Sequence, residues 1–400
     1  MLEWKLIRLG DICKTNENSY YPKDNWKFVN YLDTGSLTEN KITELQYINT
    51  KTDKMPSRAR RKVIKNSILY STVRPNQLHY GIIKEPVDNL LVSTGFTVID
   101  VDTNKAIPEF IYYLLIQNNT TEQLQAIAEQ SVSTYPSIKP SDIENLEFKL
   151  PNLIIQSKIV SILDTIDSKI CQNEKINNNL LEQASTLFNS AIQQSTSIVY
   201  AELGSLAEVK GGKRLPKGVN LVTTPNQHPY IRVRDLNNAV FASLSNDYEY
   251  VDDETQQSIS RYIVSTGDLL ISIVGTIGLT AIVDHTLNKA NLTENCVKLT
   301  NLKNVTPEYL LLFLRSSQGV EAISKGTVGA VQLKLPIKNI QSIAVPLLCD
   351  EDLLPLNETL SAIFSQISAN IVEMKQLADI RDTLLPKLMS GELDVSDIDL

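Results

Sequence analysis

From Ile155 onward, apolar side chains recur at Ile155, Ile159, Ile162, Ile166 and Ile170, and again at Leu180, Ala184, Leu187 and Ala191. Steps of three and four in alternation are the period of a coiled-coil helix. The gap in this stripe is occupied by Asn173 and Asn177, polar residues on the same seam. A second stripe runs Leu360, Ile363, Ile367, Ile371, Met374, Leu377, Leu384 and Leu388, interrupted by Arg381. No Pro or Gly falls inside either stripe before Pro386. The pattern predicts two helices of about 35 residues, or about 50 Å at 1.5 Å per residue, longer than a domain of this size can cover. Each has a stripe to bury, and the other helix is the obvious partner. Asn173 and Asn177 would then set the register, stabilising less than Leu but penalising slipped pairings.

The segments ahead of these helices alternate short apolar runs with polar turns. Val, Ile, Thr and Tyr content predicts strands over Ile68–Val73, Leu91–Val101, Tyr230–Val233, Leu269–Val274 and Cys296–Thr300. One helix is expected in each segment, opened by Pro108 or Pro307 in the first turn with Glu109 or Glu308 directly after. The two segments also match each other. Leu9-Gly10-Asp11-Ile12 recurs as Leu203-Gly204-Ser205-Leu206, and Ser67–Ser71 as Asp268–Ser272. Ile107–Ile111 recurs as Thr306–Leu310, and Phe148–Pro151 as Ile343–Pro346. Four matches in one order at nearly constant offset make the chain two copies of one module of about 195 residues. The expected class is α+β. Two similar mixed α/β domains, 1–152 and 199–350, alternate with long helices in 153–198 and 351–400, the last carrying an acidic tail. Modules joined head to helix to head close most simply about a pseudo-two-fold axis, which makes the helices antiparallel.

Composition changes this picture in three places. The net charge is −8, yet residues 350–400 hold eleven acids against three bases and so carry all of it. The remainder is neutral, and within it residues 51–65 hold seven bases against one acid, a local field able to hold a phosphate backbone. Second, Cys13, Cys171, Cys296 and Cys349 are widely spaced and form no CxxC pair, so zinc and redox readings fail. They are expected to be reduced thiols. Third, the longest uncharged run worth considering, Leu269–Val283, is too short and too polar to span a bilayer and reads as two buried strands. With no signal-peptide pattern at Met1–Lys5, a cytoplasmic protein is expected.

Catalytic constellations are missing from the sequence. There is no GxxxxGK[ST], no HExxH and no GxSxG, and His79, His228 and His285 lack metal-ligand spacing. No Asn/Asp-Pro-Pro-aromatic tetrapeptide of a DNA methyltransferase occurs. What is present suits nucleic acid. Lys54, Arg58, Arg60, Arg61 and Lys62 lead into a strand, then Arg74, Asn76, Gln77, His79 and Tyr80. Arg holds phosphate or guanine bidentately, Asn and Gln match adenine, and Tyr and His stack. The second copy offers Lys213, Arg214 and Lys217, then Arg232 and Arg234 around the strand at Tyr230. In the first copy the four basic residues Arg58–Lys62 are expected to face phosphates, with Arg74, Asn76 and Gln77 nearer the bases.

These stretches carry a resemblance. MPSRARR (55–61) with STVRPNQLHYGII (71–83), GDLLISIVGTIGLTAIV (267–283), IQSKIVSILDTIDSKI (155–170) and LLPKLMSGELDV (384–395) resemble the DNA-specificity subunit of a Type I restriction–modification system, over nearly the whole chain. The resemblance implies a non-catalytic protein with two target-recognition domains, each reading half of a bipartite site in double-stranded DNA. It implies that the helices hold the domains apart and dock two methyltransferase subunits. Those subunits carry S-adenosylmethionine, this chain carries no cofactor, metal or membrane partner, and a motor-nuclease subunit joins indirectly. Helices of about 50 Å would place the half-sites one to one and a half DNA turns apart. One departure is visible: Gln156-Ser157-Lys158 has no match in Leu356-Asn357-Glu358, so the sequence does not establish equivalent docking surfaces. The contrasting reading is a coiled-coil adaptor whose heads bind protein without sequence-specific DNA contact.

Overall fold

The computed structural model describes residues 4–131, 135–237, 239–329 and 332–398. The chain forms two compact units, one of Met1–Cys171 with Met374–Leu400 and one of Gln172–Glu373. Each unit takes half of each long helix, Leu153–Gln194 and Asp350–Ser390. The second helix starts six residues ahead of Leu356, because Asp350, Glu351 and Asp352 in its first turn complement the exposed N–H groups there. It also runs through Pro355 and Pro386. Proline inside a helix costs about 3 kcal/mol. Burial of Leu385, Leu388 and Met389 in the first unit's core offsets that cost beyond Pro386.

In the first unit, strand Ser67–Ser71 lies between Phe96–Val101 and Tyr80–Ile83, with Cys13–Thr15 at one edge. A second sheet orders Gln46–Asn49, Phe28–Leu32, Leu90–Ser93 and Ala59–Lys62. In the second unit, Leu269–Ser272 lies between Cys296–Thr300 and Thr280–Val283, and Tyr230–Ile231 pairs in parallel with Asn291–Leu292. The repeat therefore extends to strand register. Ile68 faces Ile99 as Leu269 faces Leu299, and Tyr31 faces Leu91 as Tyr230 faces Asn291.

Three local expectations are corrected. Leu91–Val101 is two strands, Leu90–Ser93 and Phe96–Val101, which a turn at Thr94-Gly95 sends into different sheets. The strand at Tyr230 ends at Ile231, because the Asp235 carboxylate accepts the Arg232 N–H at 2.7 Å and starts a short helix, Val233–Leu236. Each copy holds three helices after its sheets instead of one: Pro108–Leu115, Asn118–Glu129 and Pro140–Glu144, then Pro307–Arg315, Ser317–Gly326 and Ile337–Gln341. The breaks are local; Ser316 caps the next helix by accepting the Gly319 N–H at 3.2 Å.

The long helices run antiparallel within each unit. In the second, Asn173 donates to Glu373 and Asn370 donates to Asn177, both at 2.7 Å. In the first, Asp167 pairs with Arg381 at 3.0 Å, and Lys158 donates to the Ser396 carbonyl at 2.6 Å. Arg381, the break in the apolar stripe, is thus an interhelical ion-pair residue. The buried face is wider than a coiled-coil seam, since each helix also packs on a head. Ile155, Ile159 and Leu163 join the first core, while Ile162, Ile166 and Ile170 are half-buried. Ala184, Phe188, Leu360 and Phe364 join the second; Ile363, Ile371, Met374, Leu377 and Leu384 are half-buried, and Ile367 is buried. Leu187, expected on the seam, is 42% exposed, and its neighbour Phe188 is buried instead. Phe188 meets Tyr309 edge-on at 4.9 Å between ring centres. Phe188→Ala will therefore destabilise the second unit by about 3–5 kcal/mol, measured by denaturant unfolding. A loss under about 1 kcal/mol would mean the contact is dispensable.

Candidate nucleic-acid interface

One cleft of about 570 Å³ gathers Arg58, Arg74, Gln77, His79 and Tyr135 with the backbone turns at Thr34-Gly35 and Thr94-Gly95. Among the described residues, no carboxylate lines it. Arg58 enters from the residue before strand Ala59–Lys62, whose partner Leu90–Ser93 leads into the Thr94-Gly95 turn. The Arg74 guanidinium lies 5.0 Å from the centre of the Tyr135 ring, a cation–π distance. The His79 ring donates from Nδ1 to the Leu37 carbonyl at 2.7 Å, which fixes its plane.

The backbone beneath Arg74 is strained. Arg74 has φ 47° and Leu78 φ 57°, bracketing the turn Pro75–Gln77. A left-handed conformation costs a non-glycine residue roughly 1–2 kcal/mol. The second copy makes the corresponding bend with Gly275 at φ 82° and Gly278 at φ 87°, where the conformation is free of that cost.

The other basic residues of the first copy go elsewhere. Arg60 is exposed in a second cleft of about 380 Å³ with Tyr20, Trp26, Lys27, Lys51 and Met55. Lys54 and Asn76 are exposed. Arg61 is half-buried, and its Nε has no hydrogen-bond partner. Lys62 pairs with Asp24 at 2.9 Å and lies 5.2 Å from the Trp26 ring centre. The Tyr21 N–H and then the Lys62 ammonium hold the Asp24 carboxyl below its ordinary range. Tyr80 is buried beside Tyr70 and Tyr112, away from the cleft of Arg74.

The second unit has a cleft of about 390 Å³ at the matching place, lined by Arg214, Arg232, Arg234, Tyr230, Glu294 and Asn295. Register makes Val233-Arg234 the counterpart of Thr34-Gly35 and Glu294-Asn295 the counterpart of Thr94-Gly95. Its charge is differently managed. Arg214 pairs with Glu294 at 2.6 Å, Arg232 pairs with Glu249, and Arg234 lies 3.3 Å from Asp235 and 3.5 Å from Glu249. Burial pushes Glu294 up, but the Arg214 guanidinium and nearby donors outweigh it and hold the carboxyl below its ordinary value. Burial pushes Asp235 up to about 6. Lys213 and Lys217 are exposed, with Lys213 5.5 Å from the Tyr262 ring centre. Composition found the arginines but missed the carboxylates, because Glu249 and Glu294 are distant in sequence from their partners. The matching Tyr-x₅-Leu segments, Tyr31–Leu37 and Tyr230–Leu236, were the available signal for both clefts.

The family described as Type I restriction modification DNA specificity domain matches residues 1–183 and again 198–380. The chain belongs to that family. Among its relatives, the Type I restriction enzyme HindI specificity subunit of Haemophilus influenzae is 26% identical over 98% of this chain and 100% of the relative. A specificity subunit of Methanocaldococcus jannaschii, MjaIX, is 22% identical over 98% of this chain and 94% of its own length. The crystal structure of a Type I restriction–modification S subunit from M. genitalium shares the fold, with TM-score 0.55 and 17% identity over 99% of this chain and 97% of that one. As a DNA-specificity subunit the chain is non-catalytic, and the two matched segments are its two recognition modules. Among the described residues no His, Cys, Asp and Glu cluster could hold a metal, and no helix is long and apolar enough to cross a membrane.

Proposed function

We propose that this specificity subunit reads a bipartite site in double-stranded DNA, one half-site per head, with the two matching clefts against the bases. Arg58, Arg74 and Gln77 read the first half-site; Arg214, Arg232 and Arg234 read the second. Lys54, Arg60, Lys213 and Lys217 hold phosphates at the rims. Lys62 and Tyr80 support the fold of the first head, since one is tied to Asp24 and Trp26 and the other is buried among tyrosines. The observation that carries this reading is Arg74. A chain that uses glycine at this bend in one copy retains a strained arginine in the other, and backbone strain of that kind is held where a side chain is needed.

The two heads engage DNA differently in this reading. Guanidinium groups in the first cleft are unopposed by carboxylate, whereas those of the second must exchange Glu249 or Glu294 for phosphate or base. The long helices dock two methyltransferase subunits, which bring S-adenosylmethionine and the chemistry, and a restriction subunit joins through them. The subunit acts in the cytoplasm, where DNA and those partners lie. Methylation mapping of the native host's genome with and without this gene is the test. Loss of one bipartite methylated motif is expected; an unchanged methylation pattern would favour the protein–protein adaptor. Titration of the purified chain with S-adenosylmethionine should give no heat, and a micromolar site would contradict the assignment of the cofactor to the partners.

A further inference from the structure

The first unit contains a cavity of about 480 Å³ away from the DNA-reading cleft, lined by Glu39, Tyr80, Tyr112, Ile116, Arg381 and Asp382 among others. Tyr80 and Tyr112, 7% and 6% exposed, turn the little surface they keep to this cavity. The two rings stand 6.5 Å apart between centres and present polarisable faces beside the carboxylates of Glu39 and Asp382. Burial holds both phenols above the ordinary tyrosine range, so both remain neutral. The charge of the surroundings is negative. Arg381 is already paired with Asp167 and Asp382, which leaves Glu39 and an excess carboxylate unbalanced.

The internal repeat identifies the chemistry. Pro108 corresponds to Pro307, so Ile116 stands where the second copy has Arg315. Strand Tyr80–Ile83 corresponds to Thr280–Val283, and Glu39 to the loop at Ala239. In the second unit, Arg315 donates from Nε to the Thr280 hydroxyl at 3.0 Å and from Nη2 to the carbonyls of Thr280 at 2.6 Å and Ala239 at 2.8 Å. A guanidinium therefore bridges the strand and loop that, in the first unit, face the cavity through Tyr80 and Glu39. That guanidinium sits directly ahead of the helix Ser317–Gly326, as the cavity sits ahead of Asn118–Glu129, so the helix start does not bar a cation. Two tyrosine rings add cation–π faces that the second copy lacks. We infer that the first-unit cavity is a receptor for an external guanidinium group on an alkyl chain, taking the place that Arg315 fills internally in the second unit.

Agmatine, an alkylguanidine without a carboxylate, is the probe, titrated calorimetrically into the full chain. Saturable binding at millimolar or tighter concentration is expected. Tyr80→Phe and Tyr112→Phe should each weaken it about ten-fold, since each removes a hydrogen bond to a charged group. Ile116→Arg should abolish it while leaving the thermal midpoint unchanged or higher, because the chain then supplies its own guanidinium. Absence of binding to wild type, binding unaffected by both tyrosine replacements, or competition by acetate instead of by guanidinium would each overturn the inference. The source is decided by assembly with the methyltransferase subunit. Weakened assembly of Ile116→Arg assigns the group to an arginine of the docked partner, and unchanged assembly assigns it to a free alkylguanidine.

Discussion

Arg74→Gly will leave the fold as stable as wild type or more so, while recognition of the first half-site is lost. Relief of the left-handed conformation returns roughly 1–2 kcal/mol, and the greater freedom of unfolded glycine removes about 0.5–1 kcal/mol of that gain. The second copy already carries glycine at the same bend, so the backbone there tolerates the exchange. Loss of a base-reading arginine costs about 1–3 kcal/mol of discrimination at one position. Affinity for the cognate site should fall by one to two orders of magnitude, and duplexes altered at that base pair should bind no worse than before. Arg60→Ala should behave in the opposite manner, weakening all sequences alike and lowering the salt slope by about one. Thermal unfolding and fluorescence anisotropy over a salt series measure both effects. If Arg74→Gly lowers stability and leaves specificity intact, Arg74 is a structural residue.

Inserting one heptad into both long helices will lengthen the nonspecific spacer of the target by about three base pairs. Seven residues add ~10 Å of helix, and base pairs rise by ~3.4 Å each. The insertion points must keep the polar contacts together. The first insertion is placed at Asn178, directly after the polar pairs. Asn177 faces Asn370 and Asn173 faces Glu373, so the second insertion belongs before Ala369. Placed there, both polar pairs stay on one side of the new heptads and the register is kept. A heptad turns the seam by only about 20°, whereas three base pairs turn the duplex by roughly 100°, so affinity will fall as DNA twists to fit. The two specified blocks should remain as they were, because no head residue changes. Methylation mapping of the variant reads both quantities. An altered block with an unaltered spacer would mean that the helices do not set the distance.

The sequence by itself determined the duplication, the two long helices and the mixed α/β character of the heads. These rest on periods of two and of three to four residues and on a constant offset, signals carried by neighbours along the chain. It also located the basic loops, including Arg58 and Arg74. Tertiary structure decided which of those bases converge. Arg58 and Arg74 meet across two sheets, Lys62 is drawn to Asp24, and Arg214 and Arg232 find Glu294 and Glu249 far along the chain. The exchange of Leu187 for Phe188 at the buried face was likewise decided there, since each helix packs against a head as well as against its partner. The physical reason is one of range. Backbone preference and hydrophobic period act over a few residues, so they are written locally, whereas the electrostatic environment of a charged side chain depends on groups that only folding brings near.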